Sequence, residues 1–376
     1  MIYIHIPFCH RKCAYCAFYS VANGDRDAYV DALCREIASR RFFFGTSPWQ
    51  PQTLYVGGGT PSMLTIGQWQ QLATALREHF DMSALQESTV ECNPEDLSED
   101  YLTALQELGL FNRISIGIQS FDDDMLRRLN RRHSAEQARS AVRNADHAGF
   151  RHLSIDLIYG LPKQSITDWE HELYEVAKLN ADLSYPIGHL SCYALTLEPN
   201  TILERQVRQG KILLPTDDLQ VEQYEILCHW AKQNGYQQYE ISNFARAGQH
   251  SRHNSRYWNR TPYLGLGAAA HSFDGQCRRW NIADVARYTA SAMAGPVEYD
   301  DEELTVQDAY NEYVMTALRT VDGIDRRQVP PPLTNHLEQS VRQFVARGWI
   351  NETATHYRPT HKGLLMADHI AAELFA

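Results

Sequence analysis

The sequence predicts an α/β protein: an incomplete, TIM-like (β/α)6 barrel followed by a smaller helical, winged-helix-like domain at the C-terminal end. Three observations lead to this prediction. Short apolar runs alternate with helix-like stretches through the first half of the chain, the rhythm changes near residue 217, and the tail after about residue 300 has the pattern helix, helix, two-stranded wing, helix. Repeated βα units imply a parallel sheet, and six of them do not fill an eight-fold barrel.

Most of the six predicted strands are near-continuous runs of Ile, Leu, Val and Tyr, as expected for strands buried on both faces. They cover residues 2–7, 53–56, 89–93, 113–119, 152–159 and 189–194. Helical patterns separate them, at residues 27–44, 66–79, 98–108, 135–148 and 167–179. Several of these predicted helices have favourable N-terminal residues. At Ser98, for example, Glu99 and Asp100 complement the helix dipole in the first turn.

The second half of the chain predicts a barrel extension and then a separate tail. The extension has a helix at 219–234, a strand-like run at 236–244 and a polar loop at 250–259. The tail has helices at 305–320 and 335–347, short strands near residues 350 and 357–359, and a last helix from residue 362, with prolines 330–332 as a stiff connector. The turn at Gly295-Pro296 marks the boundary between them. We therefore predict three domains: barrel core 1–215, barrel extension 216–295 and C-terminal domain 296–376.

The composition is that of a soluble globular protein, with 44% hydrophobic and 22% charged residues. Lys and Arg number 35 against 46 Asp and Glu, and the net charge of −11 argues against broad binding to nucleic acids or anionic membranes. No run has the apolar length of a membrane span, and the first apolar run lacks the preceding positive charges of a signal peptide. We expect a cytoplasmic protein that keeps its thiols reduced.

Cys9, Cys13 and Cys16 follow directly on the first predicted strand, whereas the other five cysteines are scattered and predicted to be small buried hydrophobes. Thiolates at spacings of four and three can wrap a loop around a cubic iron–sulfur cluster and ligate three of its irons, which leaves the fourth iron open. The alternatives are a zinc site or three unrelated cysteines. Structural zinc takes four protein ligands, commonly in two Cys-x-x-Cys-like pairs, and the sequence has no second pair.

The cysteine spacing, its place after the first strand and the preceding Tyr3-Ile4-His5-Ile6-Pro7-Phe8 resemble the coproporphyrinogen-oxidase-like branch of the radical S-adenosylmethionine (SAM) superfamily. The match runs along most of the chain. The resemblance implies a [4Fe–4S] cluster on Cys9, Cys13 and Cys16, with the amino and carboxylate groups of SAM at the open iron. In this superfamily the reduced cluster cleaves SAM to methionine and a 5′-deoxyadenosyl radical, which abstracts hydrogen from a substrate.

Gly57-Gly58-Gly59-Thr60-Pro61 follows the second predicted strand. A tight turn after a strand would by itself explain the glycines. Beside the cysteine motif, however, the run resembles the family's glycine-rich loop. This resemblance implies that Gly58, Gly59 and Thr60 pass close to the SAM amino group.

Glu91, Gln119, Arg131 and Asp156 stand in or after later predicted strands. Polar groups in buried strands are costly unless they are paired, and barrel enzymes place such groups at the carboxyl-terminal mouth to meet ligands. The resemblance implies that Gln119 and Asp156 lie near the ribose hydroxyls, that Arg131 pairs with the methionine carboxylate, and that Glu91 bonds another polar group of SAM.

The same resemblance places Tyr3 and Tyr15 beside the adenine. Hydrogen bonding within the barrel is the alternative for each polar residue taken singly, above all for Glu91, because other acidic and amide side chains crowd near it in the sequence. For Arg131 the alternatives are the neighbouring arginines that offer the same charge, at positions 127, 128 and 132.

Two departures separate this chain from the oxygen-independent coproporphyrinogen oxidases that it resembles. Those oxidases carry an additional cysteine two residues after the third, where this chain has Phe18, and an N-terminal extension ahead of the first strand. A third clue, His253-Asn254-Ser255-Arg256-Tyr257-Trp258, resembles the HNxxYW signature of the HemW family of heme chaperones. Many of those chaperones have Asp after the third cysteine, where this chain has Ala17.

The HNxxYW resemblance implies that His253 is the axial ligand of a heme iron, with Tyr257 and Trp258 offering flat apolar surface to the porphyrin. His250 and His271 are the nearby alternatives. The resemblance therefore points to a binding and delivery protein whose ligand is heme.

The leading hypothesis is a chaperone that passes heme to acceptor apoproteins, respiratory proteins among the candidates, and keeps its cluster and SAM for a gating or redox role. The competing hypotheses are an oxidase that decarboxylates the propionates of coproporphyrinogen III, and a radical SAM enzyme with an unrelated substrate. Productive SAM cleavage is left open, and coproporphyrinogen turnover is not expected. The tail is predicted to be a lid or partner surface and not a DNA-binding module, and transient membrane association is left open.

Overall fold

A computed structural model describes residues 1–45 and 49–376 of the chain. Its centre is a sheet in which six parallel strands follow one another in chain order, each hydrogen-bonded to the next. These strands are β1 (Ile2–Ile6), β2 (Thr53–Gly58), β3 (Glu87–Cys92), β4 (Arg113–Gln119), β5 (His152–Tyr159) and β6 (His189–Ala194). The α/β prediction of a partial, TIM-like barrel is confirmed.

The connections between these strands are helical and cover the outer face of the sheet. They are α1 (Arg26–Ser39), α2 (Ile66–His79), α3 (Glu99–Glu107), α4 (Asp123–Arg128), α5 (Ala135–His147) and α6 (Ile166–Asp182). Local sequence determines where several of them begin. Thr65 and Ser134, for example, each accept a hydrogen bond from the backbone three residues on, and Gln68 and Gln137 return the bond.

The strand alternation sorts apolar and polar side chains onto opposite faces. Ile2, Ile4 and Ile6 of β1 are fully buried in the core that faces the helices. Tyr3 and His5, between them, point into the barrel, where the Tyr3 hydroxyl lies 3.0 Å from His5 Nδ1. Because successive side chains on a strand alternate, the barrel interior is lined by every second residue, and many of these residues are polar.

The next segment extends this sheet at both edges. It comprises α7 (Ile202–Arg208), α8 (Asp217–Gln233), β7 (Gln237–Gln238), β8 (Asn243–Ala245), α9 (Arg252–Trp258) and β9 (Leu264–Leu266). β8 pairs antiparallel with β6, and β9 pairs parallel with β1. The loop predicted at 250–259 is wrong, because α9 lies there: the Ser251 side chain caps the helix by accepting a hydrogen bond from the backbone N–H of Asn254.

A small antiparallel sheet and a second core complete the chain. The sheet consists of β10 (His271–Phe273), β11 (Cys277–Asn281) and, after α10 (Val285–Ala294), β12 (Tyr299–Glu303). The second core is built on α11 (Val306–Ala317), β13 (Ile324–Asp325), α12 (Pro331–Ser340), α13 (Arg342–Ala346), β14 (Ile350–Glu352), β15 (His356–Pro359), α14 (His361–Leu365) and α15 (Ala367–Leu374).

Two features of the tail differ from the expectation. Pro331 and Pro332 begin α12 and do not form a connector, because proline suits the first turn of a helix, where the N–H has no intrahelical partner. β12 lies beyond the boundary predicted at Gly295-Pro296, yet it pairs with β11. The three-domain division stays a prediction. Within the described ranges, no helix is both long enough and apolar enough to cross a membrane.

Candidate cofactor site at the barrel mouth

A cavity of about 540 Å³ opens at the carboxyl ends of the parallel strands. Its volume lies in the range that binds cofactors and drug-sized ligands. It brings together most of the side chains singled out in the sequence: Cys9, Cys13, Tyr15, Cys16, Gly58, Gly59, Thr60, Glu91, Gln119, Arg131 and Asp156. The other two, Tyr3 and His253, do not line it.

The cysteine loop is fixed in place by backbone hydrogen bonds at its middle. The N–H of Ala14 donates to the carbonyl of Leu129 at 2.9 Å, and the N–H of Leu203 in α7 donates to the carbonyl of Ala14 at 2.8 Å. Ala14 is buried in a small apolar cluster with both of these residues. The loop is therefore held between the end of α4 and the start of α7, with its thiols at the cavity.

The three thiols suit a cluster better than a single ion. Thr60 Oγ1 lies 3.5 Å from Cys9 Sγ, and Arg131 Nη1 lies 3.5 Å from Cys13 Sγ, so two thiols already receive donors that favour the thiolate. Burial raises the pKa of Cys9 and of Cys16. In the described part of the chain no group of three or more His, Cys, Asp or Glu side chains is placed to hold one metal ion. Thiolates around a shared cavity fit the separate iron corners of a cube.

Close packing within the protein already requires glycine at two positions of the glycine run. A Cβ on Gly59 would lie 2.7 Å from the carbonyl oxygen of Phe8 and 2.8 Å from that of Ile6. Gly58 has a φ of +111°, and a Cβ there would lie 2.5 Å from the His5 ring. Only glycine lets this turn pass so close to the end of β1. The turn thereby presents the backbone of Gly58 and Gly59 to the cavity.

Glu91 is held from two sides. Its Oε1 accepts a hydrogen bond from the Tyr55 hydroxyl at 2.6 Å, and its Oε2 accepts one from the N–H of Gly58 at 3.1 Å. Burial raises the pKa of Glu91, and these two bonds oppose that rise. The internal hydrogen bonding that the sequence left as an alternative is therefore present, while the same carboxylate lines the cavity.

Asp156 and Gln119 stand on neighbouring strands. Asp156 Oδ1 accepts a hydrogen bond from Ser115 Oγ at 3.3 Å, and burial, with the nearby charge of Glu91, raises the pKa of Asp156 to about 7. Gln119 has a φ of +69°, a conformation that costs a non-glycine residue about 1 kcal/mol or more, at an irregularity in the β4–β5 pairing. This distortion accompanies its position in the cavity wall.

Arg131, and not its neighbours in the sequence, reaches the cavity. Its Nη2 donates to Asn93 Oδ1 at 2.8 Å and to the carbonyl of Gly117 at 2.6 Å. Its Nε is buried without a hydrogen-bond partner among the residues described. Arg127 and Arg132 pair instead with Asp124 and Glu95, respectively. A guanidinium with an unused buried donor fits a site for a carboxylate ligand.

Tyr3 lies one layer below the mouth. Three residues separate it from the end of β1, and its ring packs on Tyr55 with centroids 6.3 Å apart. The structure therefore does not place Tyr3 at the predicted adenine position, because its side chain packs inside the barrel and does not line the cavity. Tyr15 does line the cavity.

His253 lies at the opposite end of the barrel, in α9. The ring Nδ1 of His253 shares a hydrogen bond with Thr53 Oγ1 at 2.9 Å, and the backbone N–H of His253 donates to Glu87 Oε1 at 2.9 Å. Thr53 and Glu87 begin β2 and β3, so α9 closes the amino-terminal end of the sheet. The His253 ring is fully buried, stacks on Tyr55 and lies 3.3 Å from the Tyr257 hydroxyl through Nε2. Burial lowers the pKa of His253 to about 3, so the ring is neutral.

Sequence reasoning missed several residues that build the site, among them Tyr55, Asn93, Ser115, Gly117 and Tyr193. A Cβ on Gly117 would lie 3.0 Å from Gln119 Nε2, so this glycine makes room for the neighbouring side chains. A signal was present for two of them, Ser115 and Gly117. Ser115, Gly117 and Gln119 alternate on one strand, and such alternation identifies the inward face.

The chain is similar to known proteins over nearly its whole length. Residues 3–173 match the radical SAM superfamily and residues 304–366 match the HemN C-terminal domain. The chain is 33% identical to the heme chaperone HemW of Bacillus subtilis, over 98% of this chain and 97% of that protein, and 32% identical to that of Escherichia coli, over 100% and 97%. Its fold is similar to the structure of coproporphyrinogen III oxidase (HemN) from Escherichia coli, described as a radical SAM enzyme, with a TM-score of 0.83 and 27% identity over 100% of this chain and 89% of that chain.

Proposed function

The chain belongs to the HemW family of radical SAM proteins, and we propose that it binds heme and delivers it to acceptor proteins. Membership of the radical SAM superfamily implies a [4Fe–4S] cluster and SAM as cofactors. The residues at the barrel mouth fit both. When bound, the cluster supplies the electron that cleaves SAM in this superfamily.

One observation supports delivery over turnover: the two motifs lie at opposite ends of the same strands. The cysteines line the cavity at the carboxyl ends, whereas His253 contacts Thr53 and Glu87 at the amino ends of β2 and β3. An oxidase must bring its tetrapyrrole to the cavity where a radical forms. A heme held by His253 would lie on the far side of the barrel, where it is bound but does not meet that radical.

Each cavity residue has a proposed task. Cys9, Cys13 and Cys16 hold the cluster, and Gly58, Gly59 and Thr60 shape the turn beside it. Arg131 receives the methionine carboxylate, Glu91 a donor group of SAM, Gln119 and Asp156 the ribose hydroxyls, and Tyr15 the adenine side. We further propose a cytoplasmic location and acceptors that include respiratory apoproteins.

At His253, heme binding requires movement. Both ring nitrogens are engaged and the ring is fully buried, so iron can reach Nε2 only when α9 leaves Thr53 and Glu87. A metal ligand must be unprotonated, and an exposed imidazole is largely neutral at physiological pH, so the ring can ligate iron once α9 has moved. We propose that the described conformation is the heme-free form.

The oxidase alternative draws support from the similarity to coproporphyrinogen III oxidase and is tested directly. We expect the reconstituted protein, given SAM and a reductant, to form no protoporphyrinogen from coproporphyrinogen III above background, because Phe18 occupies the position of the oxidases' additional cysteine. In a parallel optical titration the same preparation should bind heme with a defined Soret band. Product formation would refute delivery as the sole function, and an absent Soret band would refute heme binding.

SAM binding should depend on pH through Asp156. Ribose hydroxyls donate more strongly to the ionised carboxylate than to the protonated acid, which keeps only part of its acceptor capacity, and the pKa of Asp156 is raised to about 7. The affinity of the cluster-loaded protein for SAM is therefore expected to fall from pH 8 to pH 6, by up to about tenfold, as the carboxylate takes up a proton. Equilibrium binding of labelled SAM measures this change.

Asp156→Asn should bind SAM more weakly and remove the pH dependence. Glu240→Gln is the matched control, because burial also raises the pKa of Glu240 to about 7 and Glu240 lies outside the cavity lining. An unchanged pH profile in Asp156→Asn would show that another group titrates.

A further inference from the structure

β2 runs from one site to the other. At its amino end Thr53 contacts His253, and at its carboxyl end Gly58 lines the cavity. Midway, Tyr55 contacts both sites. Its hydroxyl donates to Glu91 Oε1 at 2.6 Å, and its ring stacks on the His253 ring with centroids 5.1 Å apart and planes 27° apart.

We propose that Tyr55 couples the cavity to α9, so that a SAM molecule in the cavity strengthens the docking of α9 and undocking of α9 weakens the binding of SAM. The proposal deepens the proposed function and rests on it for the meaning of α9 release, but not for the coupling itself. Tyr55 is a positioning residue in this scheme, because it lies outside the cavity lining and acts through Glu91, which lines the cavity.

The coupling follows from the hydrogen bonds of Glu91. The carboxylate holds the Tyr55 hydroxyl on one oxygen and the Gly58 N–H on the other. SAM carries a positive charge at its sulfonium, and a cation beside Glu91 favours the ionised carboxylate. A hydrogen bond to an ionised acceptor is roughly twice as strong as a neutral one. The Tyr55 ring is then held more firmly in the position in which it stacks on His253.

α9 is suited to have two positions. Its docking to the sheet rests on a few polar contacts: Glu87 accepts from the N–H groups of Arg252 and His253, Thr53 bonds the imidazole, and Arg256 reaches Gln52. α9 also packs against α11. Tyr55 supplies the stacking contact from inside the barrel. Glu87 and Thr53 hold α9 independently of the cavity. Tyr55 contributes the remaining part of the free energy of docking, and this is the part that responds to SAM. By linkage, the effect of SAM on docking equals the effect of docking on SAM.

The test is hydrogen exchange of α9 in the full-length, cluster-loaded protein without heme. In the parent, saturating SAM is expected to slow exchange of residues 252–258 about fivefold, the lower range of allosteric couplings. Tyr55→Phe keeps the stacked ring and removes the hydroxyl, so the effect of SAM on α9 should disappear. Tyr101→Phe is the matched control, because the Tyr101 hydroxyl bonds Trp69 Nε1 and the carbonyl of Leu64, away from this column.

A second measurement follows the same coupling from the SAM side. Glu87→Gln weakens α9 docking at a site remote from the cavity. Introduced into the otherwise unchanged protein, it is expected to raise the SAM dissociation constant by a similar factor. Introduced into Tyr55→Phe, it is expected to leave the SAM dissociation constant unchanged. SAM protection of α9 that persists in Tyr55→Phe would overturn the proposal, as would SAM binding that leaves α9 exchange unchanged in the parent. Because heme takes no part, failure of heme binding would be distinguishable from failure of the coupling.

Discussion

Alanine at any one of Cys9, Cys13 or Cys16 is expected to abolish the [4Fe–4S] cluster. The three cysteines are the protein's whole set of cluster ligands in this assignment, so losing one leaves two irons without a protein anchor. Anaerobic reconstitution of the parent should give about four irons and four sulfides per chain with broad cluster absorbance, and each variant should lose most of both.

Cys34→Ala and Cys228→Ala are the controls for this loss. Both cysteines are half-buried, and neither lines the cavity. They lie in α1 and α8, so their replacement removes a thiol without touching the loop held between Leu129 and Leu203. A full cluster in any of the three motif variants would refute the ligand assignment, and loss of the cluster in both controls would point to general destabilisation of the fold.

The parallel sheet could be predicted because most of its strands appear in the sequence as near-continuous apolar or aromatic runs. Ile2, Ile4 and Ile6 face the helices, and the inward positions of β1 carry the aromatic Tyr3 and His5, so the run reads as continuous. α9 could not be predicted in this way. Its seven residues have little apolar periodicity, and its docking depends on Glu87, which lies 166 residues away from His253 in the chain. A contact over that separation leaves no local signal.

The same limit applies within the site. Polar residues in the strands, such as Asp156 within β5 and Gln119 at the end of β4, stand out because a polar group in a buried strand calls for a partner. Tyr55 does not stand out, since a tyrosine in a strand is ordinary packing by composition. Its role depends on two partners, Glu91 and His253, which only the folded sheet brings to one side chain. Likewise, the HNxxYW signature pointed to His253 but gave no indication that its ring is buried.

The heme site gives the second large effect. His253→Ala is expected to remove the Soret band of the defined complex, because the variant lacks the proposed axial ligand, while the cluster at the other end of the barrel is retained. Truncating a fully buried ring that bonds Thr53 is also expected to lower the free energy of unfolding, by roughly 1–3 kcal/mol for the partner left unpaired. Optical titration with heme and thermal unfolding separate these two effects. His250→Ala is the control, because His250 is an exposed imidazole close by, stacked on Tyr239.

Loss of heme in His253→Ala could still arise from a misplaced helix, and Glu87→Gln distinguishes the two causes. Glu87 accepts hydrogen bonds from the backbone N–H groups of Arg252 and His253 at the start of α9, and these bonds do not involve the His253 imidazole. A neutral amide holds these donors about half as strongly, so α9 should open more often. If heme ligation by His253 requires that opening, Glu87→Gln takes up heme faster than the parent in stopped-flow absorbance and reaches the same final Soret spectrum. An unchanged rate with an unchanged spectrum would mean that heme binds elsewhere than at the buried ring.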